Sequence, residues 1–135
     1  MEKIKFLNVD LDLYADSGLK KLLKAFGSSV ILLNDQGTVH QTTKEFLCVE
    51  AAKQPKSIDH AIAIYYGLVR KLPKKARAIW DGCESRIFNI GIQSANKPHS
   101  KEFRISEKAL KQLLAMQGEA VITIYAPFVE KTKKN

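Results

Sequence analysis

The chain has 135 residues, of which 45% are hydrophobic and 27% are charged, so it is predicted to form one globular domain. No apolar run approaches the roughly 20 residues of a membrane helix, and two cysteines without metal-ligand spacing exclude a disulfide framework and a zinc site. The net charge of +8 favours an anionic partner, but the basic residues are spread over several segments rather than gathered in one patch.

These properties predict a globular domain over residues 1–128 and a basic, disordered tail over residues 129–135. The N-terminus has charges within its apolar run and lacks a small-residue cleavage site, which is not the pattern of a signal peptide or an anchor. We expect a cytoplasmic protein with no cofactor and no membrane partner.

The N-terminal region predicts a strand followed by a helix. Strict alternation of polar and apolar residues over 6–14 indicates a half-buried strand. Asp16 or Ser17 is predicted to cap a helix that runs through Phe26, because a side-chain oxygen there can accept from the free amides of the first turn. Gly27 is then predicted to end the helix.

A hairpin is predicted next. Residues 29–33 have the composition of a short buried strand, and residues 34–37 have the chemistry of a tight turn. A second strand over about residues 39–49 is expected to pair with the first one.

Two helices and a strand follow the hairpin. Ser57 is predicted to cap a helix with one apolar side, and Pro73 is predicted to end it and open a second short helix, because proline is tolerated only in a first turn. A strand over residues 86–93 comes next, then a loop over 94–100 and a short extended piece at 102–105.

The chain is predicted to close with a helix and a strand. Ser106 caps the helix, which runs through Gln117, Gly118 stops it, and residues 120–125 form the last strand. The order β-α-β-β-α-α-β-(β)-α-β predicts an α+β protein with a single sheet and with helices mainly on one face.

A weak internal repeat relates the two ends of the chain. L19-K-K-L-L-K-A-F-G27 and L110-K-Q-L-L-A-M-Q-G118 share three leucines, a lysine and the final glycine. Each segment follows an N-[VI]-x-[LI] strand and precedes a short β-branched strand, which indicates either a duplication or convergence on one amphipathic pattern. In each strand–helix–strand unit, the two strands are expected to lie parallel in one sheet with a right-handed crossover.

Several segments resemble a family of small bacterial domains of unknown function. They are N-V-D-L-D-L-Y at 8–14, L-P-K-K-A-R-A-I-W-D at 72–81, F-N-I-G-I-Q at 88–93 and V-I-T-I-Y-A-P at 121–127. The resemblance spans nearly the whole chain and implies an α+β fold, but it assigns no activity, cofactor or site residues. Some α+β domains of this size are immunity proteins, which is an analogy of shape alone.

The strongest enzyme hypothesis uses Cys83 as a nucleophile and His99 as its base, oriented by Asp81 or Asn96. Cys83 is predicted at the end of a helix, where the helix dipole disfavours a thiolate, and nothing in the sequence brings the pair together. A buried, reduced thiol is the simpler interpretation. Trp80 is predicted to be a core residue whose ring nitrogen needs an acceptor.

Asp10 and Asp12 are predicted to lie on one face of the first strand, about 7 Å apart. Two carboxylates at this spacing suit a divalent cation or an acid–base pair, if His40 or Glu50 on the hairpin supplies a third group. A solvated polar strand face is the simpler interpretation.

The sheet face opposite the helices is predicted to collect polar side chains and tyrosines, a combination that suits protein binding. We therefore predict a non-catalytic protein-binding module, immunity-like or regulatory, which uses this face or the loop over residues 94–100, or forms a homo-oligomer. The predicted binding residues are Asp10, Asp12, Tyr14, Asn89, Gln93, Asn96, His99 and Tyr125.

The alternative prediction is non-specific nucleic-acid binding through lysines on the outer sides of the two repeat helices. These lysines are Lys20, Lys21, Lys24, Lys108 and Lys111. They also fit an ordinary solvated helix surface, and the acidic pair on the sheet face would repel phosphate there.

Overall fold

The computed structural model describes residues 3–36 and 43–127, and within these ranges it shows an α+β fold, as predicted. The strands are β1 (Lys5–Ala15), β2 (Val30–Asn34), β3 (Glu45–Ala51), β4 (Ser85–Gln93) and β5 (Glu119–Tyr125). The helices are α1 (Leu19–Phe26), α2 (Ile58–Arg70), α3 (Lys74–Asp81) and α4 (Glu107–Ala115). Among the described residues, no helix has the length and apolar character needed to cross a bilayer.

All five strands join one mixed sheet in the order β2–β3–β1–β4–β5. β1 pairs antiparallel with both β3 and β4, β2 pairs antiparallel with β3, and β5 pairs parallel with β4. The strands of each strand–helix–strand unit therefore run parallel in the same sheet, as predicted. The two units differ in strand order, because β3 lies between β1 and β2 whereas β4 and β5 are direct neighbours.

The core lies between the sheet and the helices. Strand residues on the helix side, such as Val9 and Phe88, have an exposed fraction of 0%. Trp80 is equally buried and its ring nitrogen donates to the carbonyl of Met116 at 3.1 Å, as predicted for a core tryptophan. The hydroxyl of Tyr65 donates to the carbonyl of Val9 at 2.8 Å, so the polar atoms of both core aromatics are satisfied.

Two of the predicted helix caps are confirmed. The Ser57 hydroxyl accepts from the amide of His60 at 3.0 Å, and the Ser106 hydroxyl accepts from the amide of Ala109 at 3.1 Å. Both serines have extended backbones, the usual conformation of a residue that precedes a helix. The sequence pattern is sufficient at these two sites because the donor and the acceptor lie three residues apart.

The predicted cap of α1 is wrong. Neither Asp16 nor Ser17 caps the helix; the preceding residue is Gly18, whose φ of 92° lies in the left-handed region. The amide of Leu19 donates instead to the carboxylate of Glu45 at 3.0 Å. A residue from β3 thus supplies the acceptor that the local sequence was expected to provide.

The end of α4 also differs from the prediction, because the helix stops at Ala115 rather than Gln117. Gln117 has a φ of 60° and is itself the left-handed residue that turns the chain. Gly118 serves a different purpose: a Cβ atom there would lie 2.5 Å from the ring of Phe88. Gly27, by contrast, has a φ of 60° and ends α1 as predicted.

The hairpin was only partly predicted. β2 is an edge strand rather than a buried one, since Ile31, Leu32 and Leu33 are 44–46% exposed. The reason is the strand order, which places β3 between β2 and the centre of the sheet. The predicted turn at 34–37 and the start of the predicted second strand at 39 extend into residues outside the described ranges.

The extended piece predicted at 102–105 does not form a strand. Phe103 and Ile105 instead pack, partly buried, against the hydrophobic core. Their apolar character therefore reflects packing against the helix side of the sheet. A segment with alternating apolar residues can cover a core in this way without pairing with another strand.

Candidate functional site

The sheet face opposite the helices, here called the open face, brings together several of the predicted binding residues. Asp10 lies directly across from Glu50 on β3 and from Asn89 on β4. The Asn8 side-chain amide donates to the Glu50 carboxylate at 3.0 Å, and the Thr123 hydroxyl donates to the Asn89 side-chain oxygen at 2.7 Å. Much of the polar character of this face is therefore satisfied within the protein itself.

The centre of the open face carries three carboxylates, those of Asp10, Asp12 and Glu50. Burial raises the pKa of Asp10 to about 6, and the neighbouring charges of Glu50 and Asp12 add to the shift. Burial also raises the pKa of Asp12, although a hydrogen bond with the Cys48 thiol opposes the change. Burial and the same carboxylates raise the pKa of Cys48, so its thiol stays protonated at neutral pH.

These carboxylates do not extend into a metal-ligand set. Within residues 3–36 and 43–127, no three His, Cys, Asp or Glu side chains are arranged so that they could hold a metal ion. Glu50 does reach the pair, as the hypothesis of a third ligand required, but its carboxylate accepts from Asn8. His40, the other proposed ligand, lies outside the described residues.

The two tyrosines predicted on the open face have different environments. Tyr14 is buried, with its ring centroid 4.8 Å from that of Phe46 on the neighbouring strand, so it offers little contact surface. Tyr125 is 48% exposed, and its ring lies beside Gly91 of β4. The Gln93 side chain donates to the carbonyl of Ala126 at 2.8 Å and so holds the chain that leaves β5.

Cys83 and His99 do not form a catalytic pair. Cys83 precedes β4, whereas His99 follows it, and a strand of this length separates its two ends by roughly 25–30 Å. The amide of Ile4 donates to the carbonyl of Lys97 at 3.3 Å, which keeps the His99 loop at the far end. Burial raises the pKa of the Cys83 thiol, although Arg86 partly opposes the shift. Asn96 and His99 are both exposed on the loop surface.

Arg86 is a structural residue that the sequence analysis missed. Its side chain is buried and donates to three carbonyls, those of Trp80 at 2.9 Å, Cys83 at 2.7 Å and Gln117 at 3.0 Å. The Trp80 carbonyl lies in the last turn of α3, and the Cys83 and Gln117 carbonyls directly follow α3 and α4, where the helix dipole is negative. Alternation along β4 could have indicated that Arg86 is buried, because Arg86 lies on the same helix-facing side of the strand as Phe88.

The lysines proposed for nucleic-acid binding lie on two separate helices. Lys20, Lys21 and Lys24 are exposed on α1, which packs against α3 and β3, whereas α4 packs against α2. On α4, the Lys111 ammonium group pairs with Glu107 at 2.9 Å. Part of the positive charge of α4 is therefore neutralised locally.

The edge strand β5 carries exposed apolar side chains on both faces. Val121 and Tyr125 on the open face are 40% and 48% exposed, and Ile122 and Ile124 on the helix side are 59% and 67% exposed. Isoleucine is among the residues most often buried. The exposure of both Ile122 and Ile124, which are neighbours on one face of the strand, is therefore unusual.

The backbone of β5 is paired on one side only. The Tyr125 carbonyl accepts from the Ser94 amide at 2.8 Å and so points toward β4. Backbone groups of successive strand residues point to alternate sides, so the amides and carbonyls of Ala120, Ile122 and Ile124 point away from β4. Among the described residues, β5 pairs with no strand other than β4.

One flank of α4 continues this apolar edge. Leu110 and Leu114 are 48% and 74% exposed. The opposite flank, with Lys108 and Gln112, lines a cleft with Tyr66 of α2, so Leu110 faces away from α2. Leu114 lies one turn from Lys111, on the outer face of the helix.

An apolar groove of about 370 Å³ lies on the helix side of β5. Its apolar lining residues include Ile90, Ile92, Phe103, Ile105, Ile122 and Ile124. We define the β5 surface as this groove together with the exposed side chains Leu110, Leu114, Val121, Ile122, Ile124 and Tyr125. These six are two thirds of the nine large apolar side chains that are exposed among the described residues, and the other three are on β2.

Comparison of the chain with protein-family models, with curated proteins and with solved structures found no significant match. Inference about function therefore starts from the surfaces described above. Of the predicted binding residues, Tyr125 alone belongs to the β5 surface. The sequence analysis missed this surface because the position of a strand at a sheet edge depends on strand order, which periodicity does not determine.

Proposed function

We propose that this protein is a protein-binding module and that the β5 surface is its binding site. The observation that carries the proposal is an edge strand with apolar side chains exposed on both faces and a row of backbone groups that no described strand pairs with. Extended segments of other chains bind to such edges, because main-chain hydrogen bonds supply affinity and alternate side chains supply specificity.

β5 lacks the features that normally protect an edge strand. Proteins commonly protect the edge strands of their sheets with bulges, inward-pointing charged side chains or proline. The pairing of β5 with β4 is regular from Glu119 to Tyr125, and Glu119 is the one charged residue of the strand. Exposed apolar side chains are also present on α4, and Ile122 and Ile124 line the apolar groove. Exposed apolar surface of this kind is typical of an interaction site.

The other edge of the sheet is better protected. β2 has five residues, and its pairing with β3 shifts register between Leu32 and Asn34. A bulge twists an edge away from the flat geometry that strand addition requires. No exposed helix leucines extend the β2 edge among the described residues, so β5 is the favoured site.

The open face supports the proposal less well than β5 does. Several of its polar groups are paired within the protein, and Tyr14 is buried. The carboxylates of Asp10 and Asp12 are half-buried rather than displayed. The open face meets the β5 surface at Tyr125, so a partner bound at β5 has access to both.

The proposal is tested by replacing Ile124 with a photo-crosslinking amino acid in the full chain, expressed in its native cell. Ile31 on β2 is the matched control, since it is also an exposed isoleucine on an edge strand. We expect a discrete protein adduct at position 124 and none at position 31. The same adducts at both positions, or none at position 124, would contradict the proposal.

A further inference from the structure

We infer that the occupant of the β5 surface is a second copy of this chain, with the two β5 strands paired antiparallel about a two-fold axis at Ile122. The inference rests on the proposed function, because it names the partner of the same surface. It rests on backbone register, side-chain complementarity, charge distribution and buried area.

The backbone of β5 is compatible with pairing to itself. Ala120, Ile122 and Ile124 direct their amides and carbonyls away from β4, and an antiparallel ladder requires such residues to face each other. With the axis at Ile122, this residue pairs with its own copy, and Ala120 pairs with Ile124 of the second copy. In this register all three outward-facing residues of each strand find a partner, whereas shifting the axis to Val121 or Thr123 leaves one unpaired.

The side chains in this register are also complementary. On the helix side, the small side chain of Ala120 lies opposite the large side chain of Ile124. On the open face, Val121 lies opposite Thr123, and Glu119 lies opposite Tyr125. A two-fold interface places residues near its axis against themselves, so a charge there would be repelled by its own copy. β5 has its one charged residue at the end of the strand.

The α4 helices extend the contact on the helix side. Strands in one sheet are spaced by about 4.8 Å and packed helices by roughly 8–10 Å, so helices flanking the paired β5 strands come within packing distance. The two α4 helices run antiparallel, which brings Leu110 of one copy toward Leu114 of the other. Lys108 lies on the flank toward α2, away from the contact, and Lys111, one turn from Leu114, is paired with Glu107. Lys101 lines the groove, where its ammonium group lies over the ring of Phe103.

The exposed apolar area, if wholly buried in the dimer, reaches the lower end of the range for specific interfaces. The exposed fractions of the six apolar side chains of the β5 surface correspond to about 600 Å² per copy, close to the roughly 800 Å² per partner of a standard interface. The groove beside Ile124 adds apolar area, because Leu114 of the second copy approaches it when the helices are antiparallel.

The oligomeric state is measured on the full chain by sedimentation equilibrium across micromolar concentrations. We expect twice the chain mass of 15.2 kDa. Ile122→Lys places two ammonium groups at the axis and is expected to raise the dissociation constant at least about 100-fold. Ile31→Lys at the β2 edge is the matched control and is expected to leave the dimer intact, with far-ultraviolet circular dichroism confirming that both variants fold.

Single cysteines test the register. Ile122→Cys is expected to give a disulfide-linked dimer on mild oxidation, because the two Cα atoms of such a pair lie about 5.5 Å apart. Val121→Cys and Thr123→Cys are expected not to crosslink, since each lies more than about 7 Å from its own copy in this register. The unsubstituted chain controls for crosslinking through Cys48 or Cys83.

If the chain is a monomer at high micromolar concentration, the inference is overturned. This holds whether another protein or residues 128–135 then bind the β5 edge. A dimer that survives Ile122→Lys, or a disulfide at position 121 or 123 in place of 122, overturns it as well. If the chain is monomeric yet position 124 still crosslinks to a different protein, the proposed function stands and the second copy is the wrong occupant. A monomer without any adduct at position 124 removes both proposals.

Discussion

The two strand–helix–strand units carry the same leucine pattern, but α1 is covered where α4 is open. Leu19 is 3% exposed, whereas Leu110 at the same position of the repeat is 48% exposed. Leu23 packs against the core, whereas its counterpart Leu114 is 74% exposed. α1 packs against α3 and β3, which come from the segment between the units. The leucine pattern alone therefore does not determine burial, and the second unit retains an apolar flank that no described residue of the chain covers.

The final glycines of the two units also differ. Gly27 adopts a φ of 60°, and a Cβ there would meet no atom within 4 Å. Gly118 has no such backbone requirement, but a Cβ there would lie 2.5 Å from the Phe88 ring. The same residue at the same position of the repeat is therefore explained by conformational freedom in one unit and by close packing in the other.

Gly118→Ala is expected to have the largest effect on stability. The Phe88 ring has little room to move, since its centroid lies 5.6 Å from that of Tyr65 and 6.5 Å from that of Trp80 in the core. Overpacking of this kind costs about 1–3 kcal/mol, and we expect a loss in the upper half of that range. Urea denaturation at a fixed protein concentration measures it. A loss below about 0.5 kcal/mol, the scale of a typical surface substitution, would show that the ring yields.

Gly27→Ala is expected to have a smaller effect of about 1–2 kcal/mol, because alanine must adopt a strained backbone with φ 60° and ψ −138° but meets no neighbour. Gly67→Ala is the control: Gly67 lies within α2 with open space around it, so alanine is expected to be neutral or to stabilise the helix by up to about 1 kcal/mol. Equal losses at positions 27 and 118 would remove the distinction between the two units.

Asp10→Asn is expected to have the smallest effect and to depend on pH. In the repeat, Asp10 corresponds to the uncharged Gly91, so the substitution makes the first unit resemble the second. The pKa of Asp10 is raised from 3.8 to about 6, so its contribution to stability is complete below pH 4 and is lost as the pH rises through 6. After discounting for solvent screening, we expect the loss to be at most about 1 kcal/mol.

The measurement is urea denaturation of both proteins between pH 4 and pH 8. The free energy of unfolding of Asp10→Asn is expected to increase relative to that of the unsubstituted chain as the pH rises through 6. Asp16→Asn, at an exposed position before α1, serves as the control. A difference between Asp10→Asn and the unsubstituted chain that stays constant with pH would contradict the assignment of the raised pKa to Asp10.

Local sequence patterns predicted the elements well, and they failed where the decisive atom comes from a distant segment. Ser57 and Ser106 cap helices whose amides lie three residues away, so a short pattern contained both partners. The amide of Leu19 bonds to Glu45, which lies 26 residues further along the chain. No pattern around Asp16 or Ser17 contains that information.

The candidate site divides in the same way. Alternation along β1 and β4 predicted that Asp10 and Asn89 share a face, and the register places them opposite each other. Alternation did not predict that Tyr14 is buried, because Phe46 reaches it from β3. The exposure of Ile122 depends on the order of all five strands, which is a property of the whole fold.

The central pairing of β1 with β4 has a consequence for how the protein folds. β1 is the middle strand of the sheet, yet its Asp10 pairs with Asn89 of β4, far along the chain. The loop between them must close before the pairing offsets its entropic cost, so the chain is expected to fold in milliseconds to seconds rather than microseconds. During synthesis, β1 is made long before β4, so the apolar side chains of β1 lack this partner for an interval. Chaperones can bind them during that interval.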